Sequence, residues 1–243
     1  MRPRLLAAGC TLAGTLGLLA LPSAAAAHAA TLPKPPLSIS AKSSYAYGTQ
    51  VHFTVTLKGK EAGAKVKFYA TPAGGKATLV TTAAVNRKGK IFPSYLLRKN
   101  TKFTAVFAGD AKDAANKVSV SVAAAAKVTS SITGFFKTVK ISGAAYRVYH
   151  ANGTLTLHAT VAPNSKGQCL EPETQQFDKG VGWDADTKYG CDKLSSSSKD
   201  TAPFSLGQAV GDKYRIRARF THGKTNTAVH SSTGGWLYFE VVK

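Results

Sequence analysis

Three arginines at alternate positions, Arg215, Arg217 and Arg219, are interleaved with Tyr214, Ile216, Ala218 and Phe220. On a β-strand this places three guanidiniums on one face at intervals of about 7 Å, a ladder able to grip phosphates or carboxylates along a polymer. The same spacing suits a solvated strand face or pairing across a sheet with acids, and that is the expected arrangement. Trp236 and Tyr238 also stand two residues apart. Exposed, the pair would suit stacking on sugar rings, but residues 236–242 are apolar on both faces, which predicts a core or interdomain role. Trp183 lies among Glu171, Glu173, Asp178, Asp184, Asp186 and Asp192, six of the nine acids after residue 128. Asp184-Ala185-Asp186 offers oxygen ligands to calcium, but Lys188 takes the next ligand position of an EF-hand loop and the required glycine is missing.

Catalytic patterns fail on their chemistry. Ser196-Ser197-Ser198-Lys199 matches Ser-x-x-Lys only formally, inside a serine-rich stretch without companion motifs. Gly223-Lys224-Thr225 lacks the upstream glycine of a phosphate-binding loop, Ala218 standing there. His52, His150 and His158 are scattered, and His222 and His230 have no Cys or carboxylate at metal-ligand spacing. The least implausible enzyme is a paired-carboxylate glycosidase using Glu171, Glu173, Asp184 and Asp186. The expectation is a protein that is not an enzyme and uses no cofactor or metal.

Charge points to a class of partner. The chain carries 32 Lys or Arg against 12 acids, a formal charge of +20. Residues 31–127 hold sixteen cations against Glu61, Asp110 and Asp113, a net +13, whereas residues 128–243 hold fourteen against nine, a net +5. Fourteen of those sixteen are lysines, hydrated point charges suited to loose attraction to a polyanion rather than bidentate recognition. The expected partner is an anionic cell-wall or extracellular polymer, held in a salt-sensitive way, with solubility as the plainer use of the charge. No motif for specific nucleic-acid readout is present.

Residues 1–29 read as a secretory signal peptide: Arg2 and Arg4, then a Leu/Ala/Gly-rich stretch, then Ala27-His28-Ala29 with small residues at both cleavage positions. Cys10 comes too early in the apolar run for lipid attachment, and no later stretch is long and apolar enough for a transmembrane anchor. The expected location is therefore secreted or extracellular, with any wall association noncovalent. Removing 29 of 243 residues leaves 214, enough for two domains of about 100 residues. Cys169 and Cys191 are then the remaining pair, predicting one disulfide in an oxidising compartment.

The elements that must position these groups are strands. Runs near 37–41, 50–57, 65–70, 77–85, 91–96, 102–108 and 117–122 are separated by turns such as Lys58-Gly59-Lys60 and Ala73-Gly74-Gly75. Val51, Phe53, Val55 and Leu57 alternate with polar residues and map onto Leu155, Leu157, Ala159 and Val161 at an offset of 104. Phe103 and Phe107 map onto Ile216 and Phe220 at 113, so nine extra residues lie between, in the interval holding both cysteines and Trp183. The fold class is all-β: two tandem sandwiches, over residues 33–124 and 128–243, joined by the short run Ala123 to Val128.

The runs Tyr47 to Val55, Val66 to Ala70 and Lys102 to Val122 resemble the immunoglobulin-like repeats of secreted and cell-surface bacterial proteins, of an actinobacterial type. The resemblance implies a scaffold or adhesion module of the cell surface, as a monomer. Two alternatives stay open. One is a specific carbohydrate-binding protein using Trp183, Trp236 or the arginines, and the other is a secreted inhibitor presenting the cysteine-bounded loop.

Overall fold

The computed structural model describes residues 32–59, 62–185, 187–207, 210–224 and 228–243. The expected signal peptide, Glu61 and Asp186 lie outside the described residues. No helix occurs among the described residues, so none is long and apolar enough to cross a membrane.

Alternation of apolar and polar residues builds the first sandwich. Its strands are β1 (Leu37–Ser40), β2 (Ser44–Ala46), β3 (Thr49–His52), β4 (Thr54–Leu57), β5 (Lys65–Pro72), β6 (Thr78–Ala84), β7 (Lys90–Ile91), β8 (Ser94–Leu97), β9 (Thr101–Phe107) and β10 (Asn116–Ala125). One sheet runs β2-β10-β9-β5-β6, and the other layer consists of β1-β4-β7 with the pair β3-β8. Phe53, Phe68 and Phe103 meet between the layers with ring centroids 4.4 to 5.6 Å apart, and all three are buried. The run expected over 50–57 divides at Phe53, and its partner over 91–96 divides at Phe92-Pro93. Pro93 has no N–H to give the ladder. It still accepts from the Phe53 amide at 2.9 Å, so both long runs become two short strands.

The second sandwich repeats the frame with β11 (Lys127–Thr133), β12 (Lys137–Ile141), β13 (Ala144–His150), β14 (Thr154–Ala162), β15 (Cys169–Asp178), β16 (Gly182–Trp183), β17 (Thr187–Lys188), β18 (Asp192–Lys193), β19 (Lys199–Ser205), β20 (Lys213–Thr221), β21 (Ser232–Thr233) and β22 (Leu237–Val242). One sheet is β11-β14-β19; the other is β12-β13-β22-β20-β15-β16, with β17 and β18 on β15 and β21 on β20. The internal correspondence is visible in the topology. β4 and β14 each occupy the middle of a three-stranded sheet, and β2 runs parallel to β10 as β13 does to β22. At the corner after β11, Gly134 has φ +93°, and a Cβ there would strike the Thr154 carbonyl at the start of β14, so only glycine fits.

The interval expected to hold the nine extra residues, with both cysteines and Trp183, is mostly sheet. It opens with β15, which pairs with β20 over nine positions. The chain then returns along the opposite edge of β15 as β16, β17 and β18. Cys169 opens β15 and is bonded to Cys191, with their Cα atoms 5.3 Å apart. This bond pins the returning segment at its far end.

Only Ala126 separates β10 from β11, and a second segment closes the junction. The Asn100 amide donates to the Ala228 carbonyl at 2.7 Å, the His230 amide to Ala124 at 2.8 Å, and the Ala126 amide to His230 at 3.0 Å. Val229 between them is 0% exposed. The junction is therefore a hydrogen-bonded seam in addition to a chain connection.

Two predictions follow from this packing. Loss of the Cys169–Cys191 bond, which closes a loop of 22 residues, should cost about 3 kcal/mol on the chain-entropy model; urea unfolding of the Cys191→Ser variant measures it. Burial pushes the Tyr149 phenol up to about 12, and it donates to the Thr133 carbonyl at 3.1 Å. Burial and then Asp212 push Tyr214 up to about 12. An unfolded phenol ionises near pH 10, so the folded state favours the neutral form. Their contribution is complete below pH 10 and is lost as pH rises through about 12. Denaturation midpoints should fall across that window, and Tyr149→Phe should flatten the fall.

Candidate functional site

Because Ile216, Ala218 and Phe220 point into the core, Arg215, Arg217 and Arg219 must point outward from β20. The register sets their neighbours: Arg215 opposite Gln175, Arg217 opposite Glu173 and Arg219 opposite Glu171 on β15, with Tyr238 of β22 on the other side of Arg215. Glu173 is only 1% exposed. Arg217 Nε donates to its Oε2 at 2.7 Å and Arg219 Nη1 to its Oε1 at 3.4 Å. A carboxylate taken out of water in this way requires the two charged donors that it has.

Aromatic rings fill the spaces between the cations. The Arg215 guanidinium lies 4.4 Å from the Trp183 ring centroid and 4.4 Å from that of Trp236, while Arg217 lies 4.1 Å from Trp236. Arg215 Nε donates to Gln175 Oε1 at 2.5 Å. Trp183, Arg215, Trp236 and Arg217 are thus linked by a chain of cation–π contacts, each worth about 0.5 to 2 kcal/mol depending on desolvation. Tyr238 extends the patch, 5.8 Å from Trp183 and 5.3 Å from Tyr146.

The structure thus gathers Trp183, Arg215, Arg217, Arg219, Trp236 and Tyr238 on one outer sheet face. Trp236 and Tyr238 are half-buried there, in neither the core nor the seam, with two guanidiniums against the Trp236 ring and the Trp183 and Tyr146 rings against Tyr238. Asp184 accepts the Gln176 amide at 2.7 Å, which ties the returning segment to β15. Among the described residues no group of three or more His, Cys, Asp or Glu is placed to hold a metal.

The five-stranded sheet of the first sandwich has a different outer face. Lys67 of β5 and Lys117 of β10 both lie opposite Val106 of β9, one on each side. Two strand spacings separate them, about 10 Å. Two rows further along, Lys102 lies between Thr71 and Ser121, and Lys65 continues the β5 row past Lys67. The row between holds Tyr69, Thr104 and Ser119, with the Thr104 and Ser119 hydroxyls 2.9 Å apart. None of the five strands contains an Asp or Glu. Net charge alone did not reveal this shared face, although the alternation of Lys65 and Lys67 with buried Val66 and Phe68 carries the signal.

No family model and no curated protein matches the chain. Among solved structures it is similar to the D0-D1 domain of intimin, at 18% identity and TM-score 0.28, over 84% of this chain and 97% of that one. It is also similar to a tetra-tandem repeat in the extending region of a large adhesion protein, at 14% identity and TM-score 0.33, over 83% of this chain and 48% of that one. A marsupial T cell receptor matches at 13% identity and TM-score 0.35, over 85% and 72% of the respective chains. The sandwich assignment stands on the strand ladders and buried rows described above.

Glu173 gives this site its sharpest test. Glu173→Ala removes the acceptor shared by Arg217 and Arg219, which are themselves partly exposed, and should destabilise the protein by about 1 to 3 kcal/mol, read from chemical denaturation. An unchanged midpoint would mean that the stack holds without its buried carboxylate.

Proposed function

We propose that this protein is a non-catalytic binding module of the cell surface or wall that attaches to anionic polymers through the outer face of its first sandwich. The observation that carries this reading is the acid-free sheet face bearing Lys65, Lys67, Lys102 and Lys117. A flat field of separated ammonium groups attracts a repeating polyanion without demanding a particular geometry. The hydroxyl row of Thr104 and Ser119 leaves the face polar between its charges.

Contrast with the second sandwich supports the choice of face. Of the three arginines on β20, Arg217 and Arg219 share Glu173, whose charge offsets one of theirs, so the three add less long-range field than their number suggests. The Cys169–Cys191 bond fits an oxidising, extracellular setting. Lacing of β16 to β18 along β15 leaves little free loop for an inhibitor to present.

Binding of the purified protein to immobilised polyglycerol phosphate, measured against sodium chloride, tests the proposal. Affinity should fall steeply with salt, and the Lys67→Gln, Lys102→Gln, Lys117→Gln triple variant should lower the log–log slope by about 2 to 3, following counterion release. An unchanged slope in that variant, or binding indifferent to salt, would contradict it.

A further inference from the structure

A cavity of about 610 Å³ is a groove in the second sandwich between β11 and the start of β22. Its walls are Phe135, Trp236 and Tyr238, with Ser130 and Ser131 also lining it, and no acid does. The Arg215 and Arg217 guanidiniums lie 4.4 and 4.1 Å from the Trp236 ring centroid, which restricts the motion of the indole. It therefore presents a held aromatic surface to the groove, with part of its conformational entropy already lost. β11 ends its sheet, so one row of its backbone N–H and C=O groups has no ladder partner and borders the groove.

At the other end stands Arg147. Its guanidinium lies 5.1 Å from the Phe135 ring centroid, and Nη1 donates to Thr138 Oγ1 at 3.2 Å. These two contacts orient the fork. No carboxylate pairs with Arg147 among the described residues, in contrast with Arg217 and Arg219 on the neighbouring sheet face.

We infer that this groove is a subsite for a carboxylate-bearing sugar ring of an acidic polysaccharide. The three aromatic rings meet the apolar C–H faces of the sugar, the serine hydroxyls and the edge of β11 meet its hydroxyls, and the Arg147 fork takes the carboxylate in a bidentate contact. The volume is in the range of small-ligand sites. A linear phosphate polymer has no ring to place against the aromatic walls, and a neutral sugar would leave the guanidinium unanswered. The site is separate from the lysine face, and either can fail without the other.

Calorimetric titration with a trigalacturonate, at about 1 M salt where screening acts within about 3 Å, isolates the groove from diffuse attraction. Arg147→Gln and Phe135→Ala should each weaken binding at least tenfold, Arg147→Lys should fail to restore it because charge without the fork is insufficient, and the lysine triple variant should bind as the parent does. Carboxyl-reduced trimer and a glycerol-phosphate trimer should bind at least tenfold more weakly. Equal binding by Arg147→Gln and parent, equal binding of the reduced trimer, or tighter binding of the phosphate trimer would each overturn the inference. If instead only the lysine variant lost the trimer, the polymer-binding face would stand and the groove would fall.

Discussion

Burial with a period of two is the constraint on which everything else here depends. Each long strand puts one row of side chains between two sheets: Phe53, Phe68 and Phe103 in the first sandwich, Leu155, Ile216 and Phe220 in the second. Fully burying such a side chain is worth about 1.5 to 3 kcal/mol, against about 0 to 1 kcal/mol for an exposed charge contact. The core therefore decides register, and the cations go where it leaves them. A slip of one residue would drive Lys67 and Arg217 inward and turn Phe68 and Ile216 out, which no surface contact could offset.

One frame used twice has been given two different outer faces. In the first sandwich the outward row of β5, β9 and β10 is lysine, serine and threonine, with Tyr69 and Val106 among them and no acid, a loose field of cations. In the second, the equivalent row is arginine with tryptophan between, and a buried glutamate beneath. A net charge of +13 in the earlier half and +5 in the later thus describes two kinds of surface, one diffuse and one built to hold a shape. The groove beside Trp236 depends on the second kind, since its wall is rigid only because cations hold the indole.

Strand alternation was legible from the chain, and so was the copy: Val51 to Leu57 and Leu155 to Val161 lie on β3, β4 and β14 as their shared pattern implies. The break at Phe53 was not, because it depends on Pro93 in a partner forty residues away rather than on the run itself. β2 pairs in parallel with the far end of β10, a contact local pattern does not encode. β15 looked like an excursion because it is rich in acids and begins at a cysteine, yet Leu170 and Glu173 are both buried in it. A buried carboxylate is exceptional, and this one becomes intelligible only beside Arg217, 44 residues later. Trp236 read as core by hydropathy; it is half-buried, but against guanidiniums, which periodicity does not distinguish from apolar neighbours.

Lysine footprinting with and without a saturating anionic polymer tests the central claim most directly, since acetylation rates report each ammonium group separately. Protection concentrated at Lys65, Lys67, Lys102 and Lys117, with little change at Lys188 and Lys193 of the second sandwich, is the predicted result. Uniform protection across both sandwiches, or protection confined to the second, would contradict a binding face built on β5, β9 and β10.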